Sequence, residues 1–530
     1  MKKILFSIVF VSAMTLSASA ADVVRVTVHA DQPGAKINRE IYGQFSEHLG
    51  SCIYGGLWVG ENSPIPNING YRKDVFEALK KLQIPVLRWP GGCFADDYHW
   101  MDGIGPQSQR PSLRNNNWGG TIEDNSFGTH EFLNLCEMLD CEPYISGNVG
   151  SGTVKEMAQW VEYMTSDGDT PMARLRRQNG REKAWHVKYF GIGNEAWGCG
   201  GNMTPEYYSN EFRKFNTYLR DQGANKLYRI ASGASDYDYN WTKVLMEQIG
   251  GRMQGVSLHY YTCSGWNGSK GSAINFNNDQ YYWALGKCLE IEDVIKKHKA
   301  IMDEKDPKNT IGLLVDEWGT WWDEEPGTIP GHLYQQNALR DAFVASLSLN
   351  VFHKYTDRVK MANIAQVVNV LQSMILTDQE GTGHMVLTPT YHVFEMYTPF
   401  QEATFLPIDL DSEIIQVSKA YFKEKENAKD AGYRPLPLLS ASAAKTKDGS
   451  VVIALTNVSL DQDKTIELQL EGYAAKTVSG RILTSKKVDD YNDFNNPHKV
   501  APADFKDAKL KKNVLTVKIP AKSLVVLCVK

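Results

Sequence analysis

The chain has 530 residues, 42% hydrophobic and 22% charged, the balance of an ordinary globular protein with room for two or three domains, or one large barrel and a smaller companion. Its net charge of −5 comes from interspersed residues of both signs with no basic tail, so nucleic-acid and anionic-membrane binding lack electrostatic support. Aromatic residues reach 11% and include 13 tryptophans, which can fill a core or offer flat apolar faces to a ligand such as a sugar.

The opening twenty residues, MKKILFSIVFVSAMTLSASA, place Lys2 and Lys3 before an apolar run from Ile4 to about Val11, then Ala18-Ser19-Ala20 before Ala21. That is the order of a secretory signal peptide, so residues 1–20 are expected to be removed and the protein exported to the periplasm or beyond. The apolar run is short for a membrane span, and no cysteine near the cleavage point could carry a lipid. The eight cysteines (Cys52, Cys93, Cys136, Cys141, Cys199, Cys263, Cys288 and Cys528) contain no C-x-x-C pair and no zinc-type spacing. An even count permits disulfides in an exported chain, but a chain this long does not need them, and most are expected to be free, buried thiols. No metal or cofactor is expected.

From about residue 40 the pattern alternates between strand and helix. EIYGQFSEH (40–48) reads as the first strand, and YRKDVFEALKKLQ (71–83) as a helix with Val75, Leu79 and Leu82 on one face. The series continues with strand 85–89, helix 129–140, strand 142–149, helix 153–166 and strand 186–195. A helix opens at Pro205 and stops at Gly223, followed by strand 228–235, helix 241–251 and strand 255–261. A long helix (279–303), strand 310–318, helix 331–353 and strand 360–370 complete eight alternations, the eighth helix being weakly marked. Eight β-α units imply an α/β fold, a closed (β/α)8 TIM barrel; a doubly wound open sheet is the alternative, disfavoured because no G-x-G-x-x-G follows an early strand. Beyond about residue 400, VVIALTNVS, TIELQLEGY, LTVKIPA and SLVVLCVK read as short alternating strands of an all-β sandwich. The expected division is residues 21–38 as an N-terminal strand joining the sandwich, 39–400 as the catalytic barrel and 401–530 as the sandwich.

Barrel sites lie at the C-terminal ends of the strands. There the sequence places Glu47, Arg88-Trp89 with Gly91-Gly92-Cys93, Asn148, Asn194-Glu195, His259-Tyr260-Tyr261, Glu317-Trp318 and Gln366. A glutamate at a strand end is more often a solvated charge or a salt-bridge partner than a catalyst. That reading does not explain why Glu195 and Glu317 both follow apolar runs and lie beside tryptophan. Carboxyls in partly apolar surroundings hold their protons more tightly, and two with separated pKa values form the acid and nucleophile of glycoside hydrolysis. His259 could equally be a core histidine. Cys93 has no identifiable His–Asn partners for a thiol nucleophile and reads as a small lining residue; Trp89, Trp118, Trp197 and Trp321 suit either packing or a sugar wall.

GQFSEHLG, RWPGGCFADDYHWMDGIGP, GIGNEAWGCGG, VSLHYYT, VDEWGTWW and ANIAQVVNV, in that order from residue 43 to about 370, together resemble glycoside hydrolase family 51, the α-L-arabinofuranosidases. The resemblance implies a retaining (β/α)8 hydrolase with Glu195 as acid/base on strand four and Glu317 as nucleophile on strand seven. It implies that Asn194 bonds the sugar 2-hydroxyl and that Glu47 binds distal hydroxyls beside Cys93 and Gln366. His259 and Tyr261 would orient the nucleophile, and Trp118 and Trp321 would wall the pocket. Cys93 stands where some relatives carry Asn, and Gly319-Thr320 departs from the bulkier residues expected there. The implied activity is exo-acting removal of terminal arabinofuranosyl groups from arabinan or arabinoxylan. Arabinose-containing plant polysaccharides or oligosaccharides would be the partners, and a homo-oligomer is allowed. The alternatives are an endo-acting glucanase or xylanase on the same barrel, and a non-catalytic secreted carbohydrate-binding protein.

Overall fold

The computed structural model describes residues 23–378, 381–421, 432–511 and 513–530; the expected signal peptide lies outside the described residues. Eight parallel strands close into a barrel: β1 (Gly43–Phe45), β2 (Val86–Trp89), β3 (Glu142–Gly147), β4 (Tyr189–Ile192), β5 (Tyr228–Ser235), β6 (Gly255–Thr262), β7 (Gly312–Thr320) and β8 (Val359–Ala365). Closure comes from β8 pairing with β1, with Asn363 opposite Gly43 and Ala365 opposite Phe45. The expected (β/α)8 barrel is the observed one. β7 is buried along all nine residues, as a strand covered by side chains inside and helices outside must be.

The first strand is shorter than its apolar pattern, because Arg39–Tyr42 winds into a 3-10 turn before it. Gly43 is needed there: a Cβ would stand 2.6 Å from Val86 Cγ1 and 2.8 Å from the Ala362 carbonyl, so only glycine lets β1 fit between β2 and β8. The seventh helix begins at Leu339 rather than near 331. Asp341 reaches back to accept from the Ala338 N–H at 2.7 Å, which fixes the start, and residues 321–338 instead form a loop beside the barrel mouth. The weakly marked eighth helix is Pro389–Tyr397, capped by the Thr388 hydroxyl accepting from Tyr391 N–H at 3.2 Å.

The C-terminal region forms two β-sheets packed face to face. Strand Val23–His29 lies inside one of them, parallel to Lys464–Glu471 and antiparallel to Ile408–Leu410. The period-2 pattern explains the packing: Ile466, Leu468 and Leu470 face the core while Glu467 and Gln469 face water. Burying each such aliphatic side chain stabilises the fold by about 1.5–3 kcal/mol. Helix Leu339–Lys354 joins the two domains. Its residues 339–353 are all buried, which a helix lying between a barrel and a sandwich requires. Polar contacts set its register on the sandwich: Asn350 Nδ2 donates to Ser440 Oγ at 3.0 Å, and His353 Nδ1 lies 2.8 Å from Ser442 Oγ. Among the described residues no helix is long and apolar enough to cross a membrane.

Candidate active site

Glu317 is buried near the end of β7, directly opposite His259 on β6. Its Oε1 accepts from Arg88 Nη1 at 2.8 Å, and its Oε2 accepts from the Tyr261 hydroxyl at 2.8 Å. Arg88, at the end of β2, ties four strands together: Nη2 donates to Asn194 Oδ1 at 2.6 Å, Nε to Ser146 Oγ at 3.2 Å, and Nη1 also to the Asp316 carbonyl at 3.2 Å. The guanidinium packs 4.4 Å from the centre of the Phe45 ring, so its desolvation is offset by hydrogen bonds, two carboxylates and an aromatic face.

Glu195 follows β4 with φ +38°, a left-handed backbone that an L-residue holds only under strain. The strain is overdetermined by its neighbours. The Asp96 carboxylate accepts from the N–H groups of Val149, Gly150 and Asn194 at 2.8, 2.8 and 3.2 Å, tying the end of β4 to the loop after β3. The Glu195 side chain meets His259 Nδ1 at 2.7 Å, and His259 Nε2 lies 3.3 Å from Asp316 Oδ1. Asp316 in turn accepts from the Tyr144 hydroxyl at 2.7 Å. A carboxylate–imidazole–carboxylate chain therefore runs from the pocket into the barrel.

The charges follow from this arrangement. Burial raises the Glu195 pKa, and the Glu317 charge raises it further against the opposing pull of the His259 hydrogen bond. Burial alone would strip His259 of its proton, but Glu317, Asp316 and Glu195 outweigh it and push its pKa up to about 10, leaving a cation. Glu47 is pushed up to about 7, by burial first and by Glu317 second. Glu195, His259 and Glu317 offer ligand atoms within 4.8 Å of one another, spacing that could suit a metal ion. Each already faces a protein partner, however: Glu195 faces the imidazole, and both Glu317 oxygens accept from Arg88 and Tyr261.

Glu47 lies opposite the pair. Its Oε1 accepts from the Phe94 N–H at 3.0 Å and the Trp118 indole at 2.9 Å, and its Oε2 from Gln366 Nε2 at 3.1 Å. The paired glycines make room for it, since a Cβ at either Gly91 or Gly92 would stand 2.9 Å from a Glu47 oxygen. Cys93 is a lining residue, as expected, and is bonded to Cys199 in a disulfide, while the other six cysteines are free. The two lie 106 residues apart and meet only because the loops after β2 and β4 converge at the barrel mouth. Their sulfurs lie 3.9 and 3.5 Å from Glu195 Oε2.

Together these groups line a cavity of about 300 Å³. Of the expected site residues it gathers Glu47, Cys93, Trp118, Glu195, His259, Tyr261, Glu317, Trp321 and Gln366. Asn194 sits just behind the lining with its amide oxygen on Arg88. Two strand-end residues turn away from the pocket: Trp89 is core, stacked 4.9 Å from Phe132, and Asn148 donates to the Tyr98 carbonyl at 3.1 Å. Sequence reasoning did not single out Asp96, Cys199, Asp316 or Trp266, and left Arg88 as a strand-end residue without a role. The one available signal was a charged residue inside an otherwise apolar strand, which fits Arg88 in VLRW and Asp316 in LLVDEW.

Comparison with known proteins agrees with this geometry. Residues 78–276 match the α-L-arabinofuranosidase 1 domain and residues 316–523 the α-L-arabinofuranosidase C-terminal domain. The boundary of the second match falls inside the barrel, one residue before Glu317. An intracellular exo-α-L-arabinofuranosidase of Bacteroides ovatus is 64% identical over 99% of both chains. A crystal structure of the GH51 arabinofuranosidase from Xanthomonas axonopodis pv. citri is 47% identical, covers 96% of this chain and all of its own, and superposes with a TM-score of 0.91. A Thermotoga maritima α-L-arabinofuranosidase structure, an arabinose complex, is 29% identical over 95% of this chain and 99% of its own, with a TM-score of 0.82. The Bacteroides relative also overturns the expectation of export through a signal peptide to the periplasm or beyond, because that protein, matched over almost its whole length, is named intracellular. The order of charge, apolar run and small residues is a compositional pattern that a non-secretory N-terminus can share. The identity, the coverage and the shared barrel place the chain in glycoside hydrolase family 51, the α-L-arabinofuranosidases.

Proposed function

We propose that the chain is a retaining exo-acting α-L-arabinofuranosidase that releases terminal arabinofuranosyl groups from arabinan or arabinoxylan side chains. The observation that carries the reading is the facing pair Glu195 and Glu317, whose nearest ligand oxygens lie within 4.8 Å. Retaining glycosidases hold their carboxyls about 5–5.5 Å apart, whereas inverting ones need about 6.5–9.5 Å for an intervening water. Glu317 is the nucleophile, aimed by Arg88 and Tyr261 at the anomeric carbon. Glu195, whose hold on a proton is tightened by burial and by the neighbouring Glu317 charge, donates to the leaving oxygen.

The same electrostatics reverse the role of Glu195 at the second step. Once Glu317 is esterified by the sugar its charge is gone. Burial still raises the Glu195 pKa, but the added repulsion disappears while the His259 hydrogen bond still lowers it, and Glu195 can accept a proton from the attacking water. Glu47, Gln366, Trp118 and the Cys93 sulfur shape the sugar pocket, and Asn194, just behind the lining, is the expected partner of the 2-hydroxyl. A cavity of about 300 Å³ suits one terminal ring, which supports exo rather than endo action. The test is a panel of aryl glycosides with wild type, Glu195→Ala and Glu317→Ala. Activity confined to the α-L-arabinofuranoside and lost in both variants supports the reading; release of internal fragments from linear arabinan overturns it.

A further inference from the structure

Four tryptophans line the pocket, and three are already committed. The Trp118 indole donates to Glu47, the Trp197 indole donates to the Gly233 carbonyl at 3.1 Å, and the Lys270 ammonium lies 5.7 Å from the centre of the Trp321 ring. The fourth, Trp266, is 54% exposed, an unusual cost for so large an apolar side chain unless a ligand covers it.

Trp266 sits on the loop after β6. Its ring stands perpendicular to Tyr261, 6.2 Å away, and to Trp321, 5.4 Å away. Tyr261 is the residue that holds Glu317, so Trp266 lies one ring outward from the reacting carboxylates. The loop is fastened. The Asp323 carboxylate accepts from the N–H groups of Lys270 and Gly271 at 2.7 and 3.1 Å and from the Ser269 hydroxyl, and the Gly271 carbonyl accepts from Asp323 N–H at 2.9 Å. Asp323 lies just beyond β7, so the strand that carries Glu317 also anchors the loop that carries Trp266.

We propose that Trp266 is the stacking platform for the sugar from which the arabinose departs, and so determines which glycosidic partner the enzyme accepts. This rests on the reading of the pocket as an arabinofuranosidase site. A pentose released from the anomeric carbon, its oxygen protonated by Glu195, passes outward along the pocket wall, where the indole offers its apolar face to the C–H face of the sugar. The contact is made by the leaving group alone and is absent when the leaving group is methanol.

The test compares kcat/KM on an arabino-oligosaccharide with kcat/KM on methyl α-L-arabinofuranoside, in wild type, Trp266→Ala and Trp266→Phe. The expected result is that the oligosaccharide-to-methyl ratio falls roughly tenfold in Trp266→Ala, mostly through KM, and is largely restored in Trp266→Phe. A second readout is the partition of the arabinosyl-enzyme between a xylo-oligosaccharide acceptor and methanol, which should shift toward methanol in Trp266→Ala. A ratio unchanged in Trp266→Ala, or equal losses on both substrates, overturns the proposal. Failure of wild type to hydrolyse the methyl arabinofuranoside would instead overturn the reading of the pocket.

Discussion

The two ends of the barrel each bury an arginine among carboxylates, and they do opposite things with it. At the N-terminal end Arg358, directly before β8, donates to Asp306 at 2.7 Å and to Asp303 at 2.5 Å, and its Nη1 also reaches the Ile311 carbonyl at 2.9 Å. The Asp306 carboxylate also accepts from the Ile311 N–H at 2.8 Å and the Thr310 hydroxyl at 2.7 Å, and despite the cost of its desolvation its pKa falls to about 2. At the C-terminal end two cations, Arg88 and His259, meet four carboxyls: Glu47, Glu195, Asp316 and Glu317. Cations cannot balance that many buried charges, so protons must, and the pKa values of Glu47 and Glu195 rise. With Lys299 also on Asp303 at 2.7 Å, the N-terminal cluster sets two cations against Asp303 and Asp306 and holds structure; the C-terminal one, with two cations for four buried carboxyls, stores a proton where an acid is needed.

The sharpest break of this contrast is Glu317→Ala, which should lower kcat by at least about 10⁴-fold with little change in thermal midpoint. Glu195→Gln should cost about 10²–10⁴-fold on substrates with poor leaving groups and much less on activated aryl arabinofuranosides, which need no acid. At the other end Asp306→Asn should leave kcat within about twofold and cost about 3 kcal/mol in denaturant unfolding, because it strands part of the Arg358 charge.

The two ends should also respond to pH with opposite sign. The Asp306 contribution is present above its ordinary value of 3.8 and is lost as pH falls toward its folded value of about 2. Glu47 and Asp96, both raised to about 7 chiefly by burial, contribute stability below their ordinary values that is lost as pH rises through 7. Glu47→Gln should therefore flatten the fall in thermal midpoint between pH 5 and pH 8. The substitution is tolerable because Gln366 can turn its amide oxygen, which has no partner among the described residues, toward the new amide. The smallest expected effect is on the activity profile of His259→Phe. Losing the imidazolium removes a cation that favours ionised Glu195, so the limb set by Glu195 should move to higher pH.

The same contrast explains what could be read from the sequence. Strand ends were legible because apolar runs stop at polar residues, so Asn194-Glu195 and Glu317-Trp318 stood out in the sequence, while Asp316 did not. Partnerships were not. Cys93 and Cys199 are joined only by the geometry of a closed sheet, and the Glu195–His259–Asp316 chain spans three strands with no local pattern. Helix Leu339–Lys354 was misplaced at its start because the capping signal is a single Asp341, whereas the apolar pattern begins earlier. Trp266 lies on a loop without periodicity, and its position depends on Asp323, more than fifty residues further along the chain.

The central claim is that Glu195 and Glu317 act across a gap too small for an intervening water. Proton NMR of the first-formed sugar, recorded before mutarotation during hydrolysis of an aryl α-L-arabinofuranoside, tests it most directly. Appearance of the α-anomer is the predicted result, because two displacements restore the starting configuration. Initial release of the β-anomer would contradict the account.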